Sequence, residues 1–299
     1  MGIGFGIARR SCARCGRDAS YLLRASGEPL CTRCFERAVV KAIRRAIGGY
    51  RVLNPGDQLL VVEPLKIPPW FWISMRYLAR SLRSHGNRIA LLSYRGYKDV
   101  FAKGDIYVVD IGVDRKYIVD LCRVFDDPVR ITGCLLKAEY ILGFITSKST
   151  GINISALIRP RDLCSLIGFL GIAYMDFELA VESQPLRRAG DVITINPIYN
   201  LSSIDLTALA FLSNQYIFNS YGEAALGLDS MAVPGVDELT RIYSHSPEIM
   251  YSSSEAVIKI LSGVERKCSI CGAPIGSGDL CSMCSYLYPL LKHLPNTRG

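Results

Sequence analysis

The sequence predicts an α/β protein, a parallel sheet covered by helices on both faces, set between two four-cysteine zinc ribbons. Two observations carry this. Apolar strand-like runs alternate with helical periodicities through the middle of the chain, the pattern of strands joined by crossover helices. Four CxxC pairs frame that middle: Cys12 and Cys15 with Cys31 and Cys34, then Cys268 and Cys271 with Cys281 and Cys284. The implied division is 1–49 for the first ribbon and a basic helix, 50–262 for the α/β domain and 263–299 for the second ribbon.

Each CxxC places two thiolates on one tight turn, and two such turns complete the tetrahedral sulfur site that zinc prefers. Fifteen residues separate the first two pairs and nine the second two. Gly16 and Gly272 follow the leading pairs, where a knuckle needs positive φ. Four thiolates leave no open coordination position, so both zinc ions are expected to be structural. The compartment argument agrees. The apolar start Met1 to Ala8 is too short for a secretory signal. The longest apolar run, Leu163 to Met175, falls short of the ~20 residues of a membrane helix. A cytoplasmic protein keeps its thiols reduced, and cysteine pairs there mean metal more often than disulfides.

The net charge of +8 is local. Between Arg9 and Arg51 stand eleven basic and three acidic residues, while the rest of the chain balances at 24 against 24. A concentrated basic block points to a polyanion more strongly than a diffuse excess does. Within it, Phe35, Val39, Ile43 and Ile47 recur every four residues and define one apolar stripe of a helix over 35–47. Arg37, Lys41, Arg44 and Arg45 fall on the other face and are the candidate nucleic-acid contacts. Gly48-Gly49 reads as its C-cap and stop.

Asn54-Pro55-Gly56-Asp57 reads as a turn and Gln58 to Val62 as a short buried strand. Pro68-Pro69 suits a helix start, followed by a core face of Phe71, Met75, Leu78 and Leu82 that ends near His85-Gly86. Strands are expected at Arg88 to Tyr94, Ile106 to Val109 and Tyr117 to Val119. A helix over Lys137 to Gly143 leads to a strand over Phe144 to Ser147. A helix near Arg161 to Ile167, a strand at Asp191 to Ile195 and a helix over Ser203 to Leu212 complete the body. Glu238 to Ser262 reads as a polar helical approach to the second ribbon.

Smaller features carry less chemistry. Cys122, Cys134 and Cys164 are expected to be unpaired, the latter two as small buried hydrophobes. His85, His245 and His293 lack ligand or nucleophile spacing and read as surface residues. Asp126-Asp127 is an acidic turn before Pro128. The glycines at positions 2, 4 and 6 precede no strand–helix unit and are no dinucleotide fingerprint.

The order of finger, basic helix, turn, strand, α/β body and second finger resembles the TtuA-type tRNA 2-thiouridine synthetases, including the eukaryotic cytosolic wobble-uridine thiolation proteins. The residues that carry the resemblance are Cys12-Ala13-Arg14-Cys15-Gly16, Gly27 to Phe35 with its Cys31-Thr32-Arg33-Cys34, Pro55-Gly56-Asp57, Cys268-Ser269-Ile270-Cys271-Gly272-Ala273-Pro274 and Cys281-Ser282-Met283-Cys284. The resemblance covers residues 9–62 and 265–290 well, and the stretch between thinly but collinearly. It implies a Rossmann-like PP-loop ATP-pyrophosphatase domain that adenylates uridine C2 before sulfur is delivered.

The chemical positions of that family are altered here. Its Ser-Gly-Gly-x-Asp-Ser loop would follow Val62, where Glu63-Pro64-Leu65-Lys66-Ile67-Pro68 stands. Glu63 brings negative charge towards a triphosphate and Pro64 removes an N–H donor. Its Pro-Cys-Ser-x-Cys-Gly segment matches Pro128 to Gly133, with Val129 and Thr132 at the cysteine positions. Its Thr-Gly-His-Asn-Leu-Asp-Asp segment matches Thr150 to Ala156, without the histidine and both aspartates. A third family cysteine has no counterpart, since no Cys lies between Ser165 and Lys267. Trp70-Phe71-Trp72 is expected to fill the vacated nucleotide pocket, with a partner surface as the alternative.

The resemblance therefore implies a non-catalytic homologue of tRNA 2-thiolation enzymes. It would bind tRNA or act as a scaffolding subunit beside a catalytically intact paralogue or as a homodimer, with two structural zinc ions and neither ATP nor an iron–sulfur cluster expected. The alternatives are an active ATP-dependent tRNA-thiolating enzyme with a divergent loop around Lys66, and a zinc-ribbon nucleic-acid-binding protein unrelated to thiolation.

Overall fold

The computed structural model describes residues 10–293 except 25, 66, 69, 95–105 and 214–246. Several positions named above lie outside the described residues: the glycines at 2, 4 and 6, Arg9, Lys66, Pro69, His245 and the stretch 238–246. A short antiparallel hairpin, β1 (Tyr21–Leu22) and β2 (Pro29–Leu30), precedes α1 (Thr32–Tyr50). The sheet then opens with β3 (Gln58–Val62), where every residue after Gln58 is buried. It continues through α2 (Phe71–Leu82), β4 (Arg88–Ser93), β5 (Ile106–Asp110), α3 (Arg115–Cys122) and α4 (Pro128–Thr150). Next come β6 (Ile154–Leu157), α5 (Arg161–Ala173), α6 (Phe177–Ala180), β7 (Leu186–Ala189), β8 (Val192–Ile195) and α7 (Ser203–Leu212). Two more helices follow, α8 (Pro247–Ser262) and α9 (Ser282–Leu291).

The six strands lie in the order β5-β4-β3-β6-β8-β7 and are parallel except for the β7–β8 pair. Alternation along each strand feeds two cores. Leu60, Val62, Ala90 and Leu92 face α3, α4 and α9. Leu59, Val61, Ile89 and Leu91 face α1, α2 and α7. Each core also takes in a cysteine ribbon: Cys268, Ile270, Cys271 and Cys284 belong to the first, Cys12, Cys31 and Cys34 to the second. The α/β class with a mostly parallel sheet stands as the sequence predicts it.

Four expectations are corrected. Gly48-Gly49 does not stop α1, which runs to Tyr50 and ends on Arg51 in the left-handed region at φ 52. The Tyr50 hydroxyl donates to the Asn196 carbonyl at 2.8 Å, and this tertiary anchor outweighs the glycines' low helix propensity. Tyr117 to Val119 is not a strand but lies in α3, which the Asp114 carboxylate caps by accepting from Lys116 N. Phe144 to Ser147 is the buried end of α4; an apolar run buried on all sides does not distinguish helix from strand by periodicity. Cys122 and Cys134 are not free but disulfide-bonded, because the last residue of α3 and the second turn of α4 meet at 5.6 Å between Cα atoms. The sequence reading also missed β6 and β7 as strands.

Candidate functional site

The two cysteine groups repeat one construction. In the first, Cys12 and Cys15 sit on a knuckle closed by Gly16 at φ 71, whose N–H donates to the Cys12 carbonyl at 2.9 Å. In the second, Gly272 at φ 73 closes the same bond on Cys268, also at 2.9 Å. The second pair of each group starts a helix. Cys31 is the N-cap of α1 with Cys34 in its first turn, and Cys281 is the N-cap of α9 with Cys284 in its first turn. Helix N-termini and knuckle N–H groups favour thiolates. The Cys12 thiol is held down at about 6, first by the Cys31 backbone N–H against the raising effect of burial, with the N–H groups of Arg14 and Cys15 adding to it.

Within each group the four sulfurs lie within 4.8 Å of one another. Cys15 and Cys31 Sγ are 3.5 Å apart, Cys271 and Cys281 Sγ 3.7 Å. These donor sets fit a metal. All eight predicted ligands are thus brought together in the two expected sets of four. The second group is buried throughout, whereas Cys15 of the first is exposed.

The predicted nucleic-acid contacts also converge. Phe35, Val39 and Ile43 bury the inner stripe of α1, leaving Arg37, Lys41, Arg44 and Arg45 exposed. Those four cations line a groove of about 550 Å³ together with Val40 and with Arg80 of α2. Arg44 reaches across the groove to the Ser81 carbonyl and Ser84 Oγ, both at 3.4 Å, and Arg80 pairs with Glu36 at 3.5 Å. The sequence reading missed the second wall. Arg76, Arg80 and Arg83 are all exposed, spaced i, i+4, i+7 opposite the core face of α2, a signal of the same kind as that found on α1.

An open α/β sheet takes its ligand beyond the carboxyl ends of the strands, where the strand order reverses. Here that point lies between β3 and β6. Leaving β3, Glu63 is fully buried; it accepts from Ser93 Oγ at 2.8 Å and pairs with Arg115 at 2.8 Å. Two residues on, Leu65 N donates to the Glu139 carboxylate at 2.9 Å. Leaving β6, buried Arg159 pairs with Glu139 and Glu182, both at 3.0 Å. Glu182 also takes a bidentate pair from Arg187, with both bonds at 2.9 Å, and a third cation, Lys137, at 2.7 Å.

Burial alone would raise the Glu182 carboxyl, but Arg187, Lys137 and Arg159 outweigh it and hold it at about 2. Burial opposes the charge on Lys137, yet the Cys271 sulfur, Glu182 and the Cys284 sulfur keep its ammonium well above the ordinary value. The sequence reading missed this cluster, since its members lie on α4, β7 and the segments between strands and carry no common spacing.

The remaining candidates fall into place. Val129, at a family cysteine position, packs against Ile167, Leu170 and Leu179, and Thr132 spends its hydroxyl on the Pro128 carbonyl at 2.9 Å. Asp127 caps α4 by accepting from Val129 N, so the acidic turn is structural. The Thr150 to Ala156 match is corrected. It begins in the last turn of α4, Gly151 closes that helix at φ 72, and the segment enters β6 from the amino-terminal edge, opposite the ligand edge. The carboxylate just beyond β6 is Asp162, which accepts from Ser203 N at the start of α7. Cys164 is buried beside Asn196, and burial pushes its thiol up to about 12. Trp70, Phe71 and Trp72 are buried in the core shared by α1, α2 and α7. His85 and His293 are exposed.

No family profile matches the sequence, and no curated relative matches it. Among solved structures the chain is similar to the U34-tRNA thiolase NcsA from Methanococcus maripaludis, described with its [4Fe-4S] cluster. The identity is 16%, with a TM-score of 0.61 and coverage of 94% of this chain and 96% of that one. At that identity the likeness shows the fold alone: an α/β chain with a six-stranded, mostly parallel sheet, carrying two four-cysteine groups able to hold metal.

Proposed function

We propose that this chain is a non-catalytic relative of the tRNA 2-thiolation enzymes. It binds tRNA through the basic groove of α1 and α2 and acts in the cytoplasm as a scaffold for a catalytically intact PP-loop protein or a second copy of itself. The observation that carries the reading is the head of the sheet. Where a nucleotide site needs converging backbone N–H donors, Glu63 is turned inward onto Arg115, and Arg159 and Glu139 are closed into the Glu182 cluster. The likeness to a tRNA thiolase in fold supports tRNA as the polyanion.

Both cysteine groups are read as single zinc ions. A tetrahedral ion with zinc–sulfur bonds of about 2.3 Å spaces its sulfurs about 3.8 Å apart; here Cys15–Cys31 and Cys271–Cys281 stand at 3.5 and 3.7 Å and every pair in a group lies within 4.8 Å. A four-iron cluster places an iron at each corner and spreads its cysteine sulfurs further. Val129 and Thr132 offer no sulfur where the resemblance implies a cluster or sulfur intermediate. Bound zinc would supply a fixed tetrahedral crosslink between knuckle and helix and no open coordination position.

The test uses the full-length protein. Fluorescence anisotropy with tRNA and with an unstructured RNA of equal length, across a salt series, is expected to show preference for tRNA and a steep salt slope. Calorimetry with Mg-ATP is expected to show no heat of binding. ATP–pyrophosphate exchange or tRNA thiolation by this chain alone would overturn the reading. Equal binding of both RNAs would leave a zinc-ribbon nucleic-acid binder outside thiolation.

A further inference from the structure

A buried lysine has three donors to satisfy and a charge to balance. Lys137 is fully buried in α4, and its Nζ meets one carboxylate oxygen, Glu182 Oε1 at 2.7 Å. Its remaining donors find no hydrogen-bond partner among the described residues. Around it, three buried cations (Lys137, Arg159, Arg187) share two carboxylates (Glu139, Glu182), which leaves one positive charge in excess. Burial also pushes the Glu139 carboxyl upward, and every step towards its neutral form adds to that excess. An uncompensated charge in a protein interior is among the costliest arrangements known.

The missing negative charge stands at the C-terminal cysteine group, whose knuckle meets the face of α4 that carries Lys137 and, three positions on, Tyr140. Cys268, Cys271 and Cys284 share one buried core with Cys134, Ala138 and Ile141 of that helix. A divalent ion held by four thiolates carries two negative charges. The body grips this same knuckle directly. The Tyr140 hydroxyl donates to the Ile270 carbonyl at 2.7 Å, and the Arg187 guanidinium lies 3.8 Å over the Tyr140 ring. The N-terminal group differs, since the cation beside it, Arg14, is at the surface and already paired with Glu28 through two bonds of 2.9 Å.

We propose that Lys137, backed by Arg187, is the counter-charge of the C-terminal metal–thiolate centre, so that this centre and the ion cluster at the head of the sheet form one electrostatic unit that holds only when the centre is loaded. The inference rests on reading Cys268, Cys271, Cys281 and Cys284 as a single-ion site. Lys137 acts here as a positioning residue: its buried ammonium balances the charge of the bound sulfurs and touches no substrate.

The experiment loads the full-length protein with cobalt(II) and follows the sulfur-to-cobalt charge-transfer bands during competition with a chelator. Wild type is expected to bind two ions, with the C-terminal one assigned as that retained by Cys12→Ser. Lys137→Met should weaken that ion at least tenfold and shift its band while sparing the other, and Lys137→Arg should restore both properties. Two ions with unchanged affinity and bands in Lys137→Met would overturn the proposal, whereas a chain that binds no cobalt would overturn the single-ion reading itself.

Should Lys137→Met fail to fold, hydrogen exchange on chelated wild type decides. Opening of 135–141 and 182–189, or global unfolding while Cys12→Ser stays folded, supports the coupling. Protection of both stretches after metal loss refutes it.

Discussion

Glu182→Gln isolates the charge at the centre of the head-of-sheet cluster while keeping its volume. In the folded chain the carboxyl sits at about 2, against an ordinary value of 4.5. At about 1.4 kcal/mol per tenfold change in acidity, that difference stabilises the charged folded form by about 3 kcal/mol near neutral pH. A second route gives a similar figure: removing one partner of a buried ion pair costs about 3–5 kcal/mol. Solvent screening does not reduce it, because the side chain is buried. The folded value lies below the unfolded one, so the stabilisation is complete above about pH 5 and drains away as pH falls through about 2. The assay is a thermal melt of wild type and Glu182→Gln between pH 7 and pH 3. At pH 7 the variant should melt roughly 5–10 °C lower, and the gap should narrow as the pH falls. The comparison is made over the pH range in which both proteins keep their metal, since loss of the C-terminal ion would itself loosen the cluster. A gap under about 2 °C at pH 7, or one that stays constant down to pH 3, would refute the account of the cluster.

Other expectations follow from single contacts. Gly171 in α5 has no room for a side chain, since a Cβ there would lie 2.5 Å from the Ala180 backbone nitrogen. Gly171→Ala should therefore cost about 1–3 kcal/mol in urea unfolding, and an unchanged midpoint would mean that α5 and α6 do not pack this closely. The triple variant Arg37→Ala, Lys41→Ala, Arg45→Ala should leave the melting temperature in place while lowering tRNA affinity, and flatten the slope of log K against log salt by about 2, from about 0.7 per phosphate contact. Alkylation of the denatured, metal-free chain without reductant should label nine of the eleven cysteines, and all eleven after reduction, as counted by mass spectrometry. Eleven labels in both states would remove the Cys122–Cys134 crosslink.

What could be read from the sequence was set by how local its physical cause is. The CxxC knuckles, the apolar stripe of α1 and the bounds of β3 and α7 depend on residues within one turn or one strand, and all appear where the pattern puts them. The second wall of the basic groove was equally local and was overlooked. Phe144 to Ser147 was misread because a helix buried on every side loses its periodicity. The Glu182 cluster could not be read at all. Its partners stand 5, 23 and 45 positions away in the chain, and nothing in a buried Lys or Arg announces the carboxylate it will meet. The Thr150–Gly151 match failed for a related reason. Thr150, Gly151 and Asn153 agreed in type, but only the strand that follows them reveals that they lie at the wrong end of the sheet.

The ribbons are parts of the cores rather than appendages, and this bears on what metal does here. The N-terminal hairpin is tied to α7 through Tyr21, whose hydroxyl donates to Asp205 at 2.8 Å, while Tyr21 stacks on Phe35 at 4.8 Å between ring centroids. At the other end Glu178 of α6 accepts from Ser282 N at 3.0 Å and Met283 N at 2.8 Å, the first free N–H groups of α9. A carboxylate there is favoured by the helix dipole as well as by the bonds. The residue that anchors the Glu182 cluster follows α6 by two positions, so one short segment grips the C-terminal ribbon at one end and the head of the sheet at the other. On the reading of that group as a metal site, loss of its ion would free α9 from its knuckle and loosen that segment, and with it the cluster at the head of the sheet. The C-terminal cysteine group, remote from the sheet in sequence, is in the fold a neighbour of the helix that carries Lys137 and Glu139.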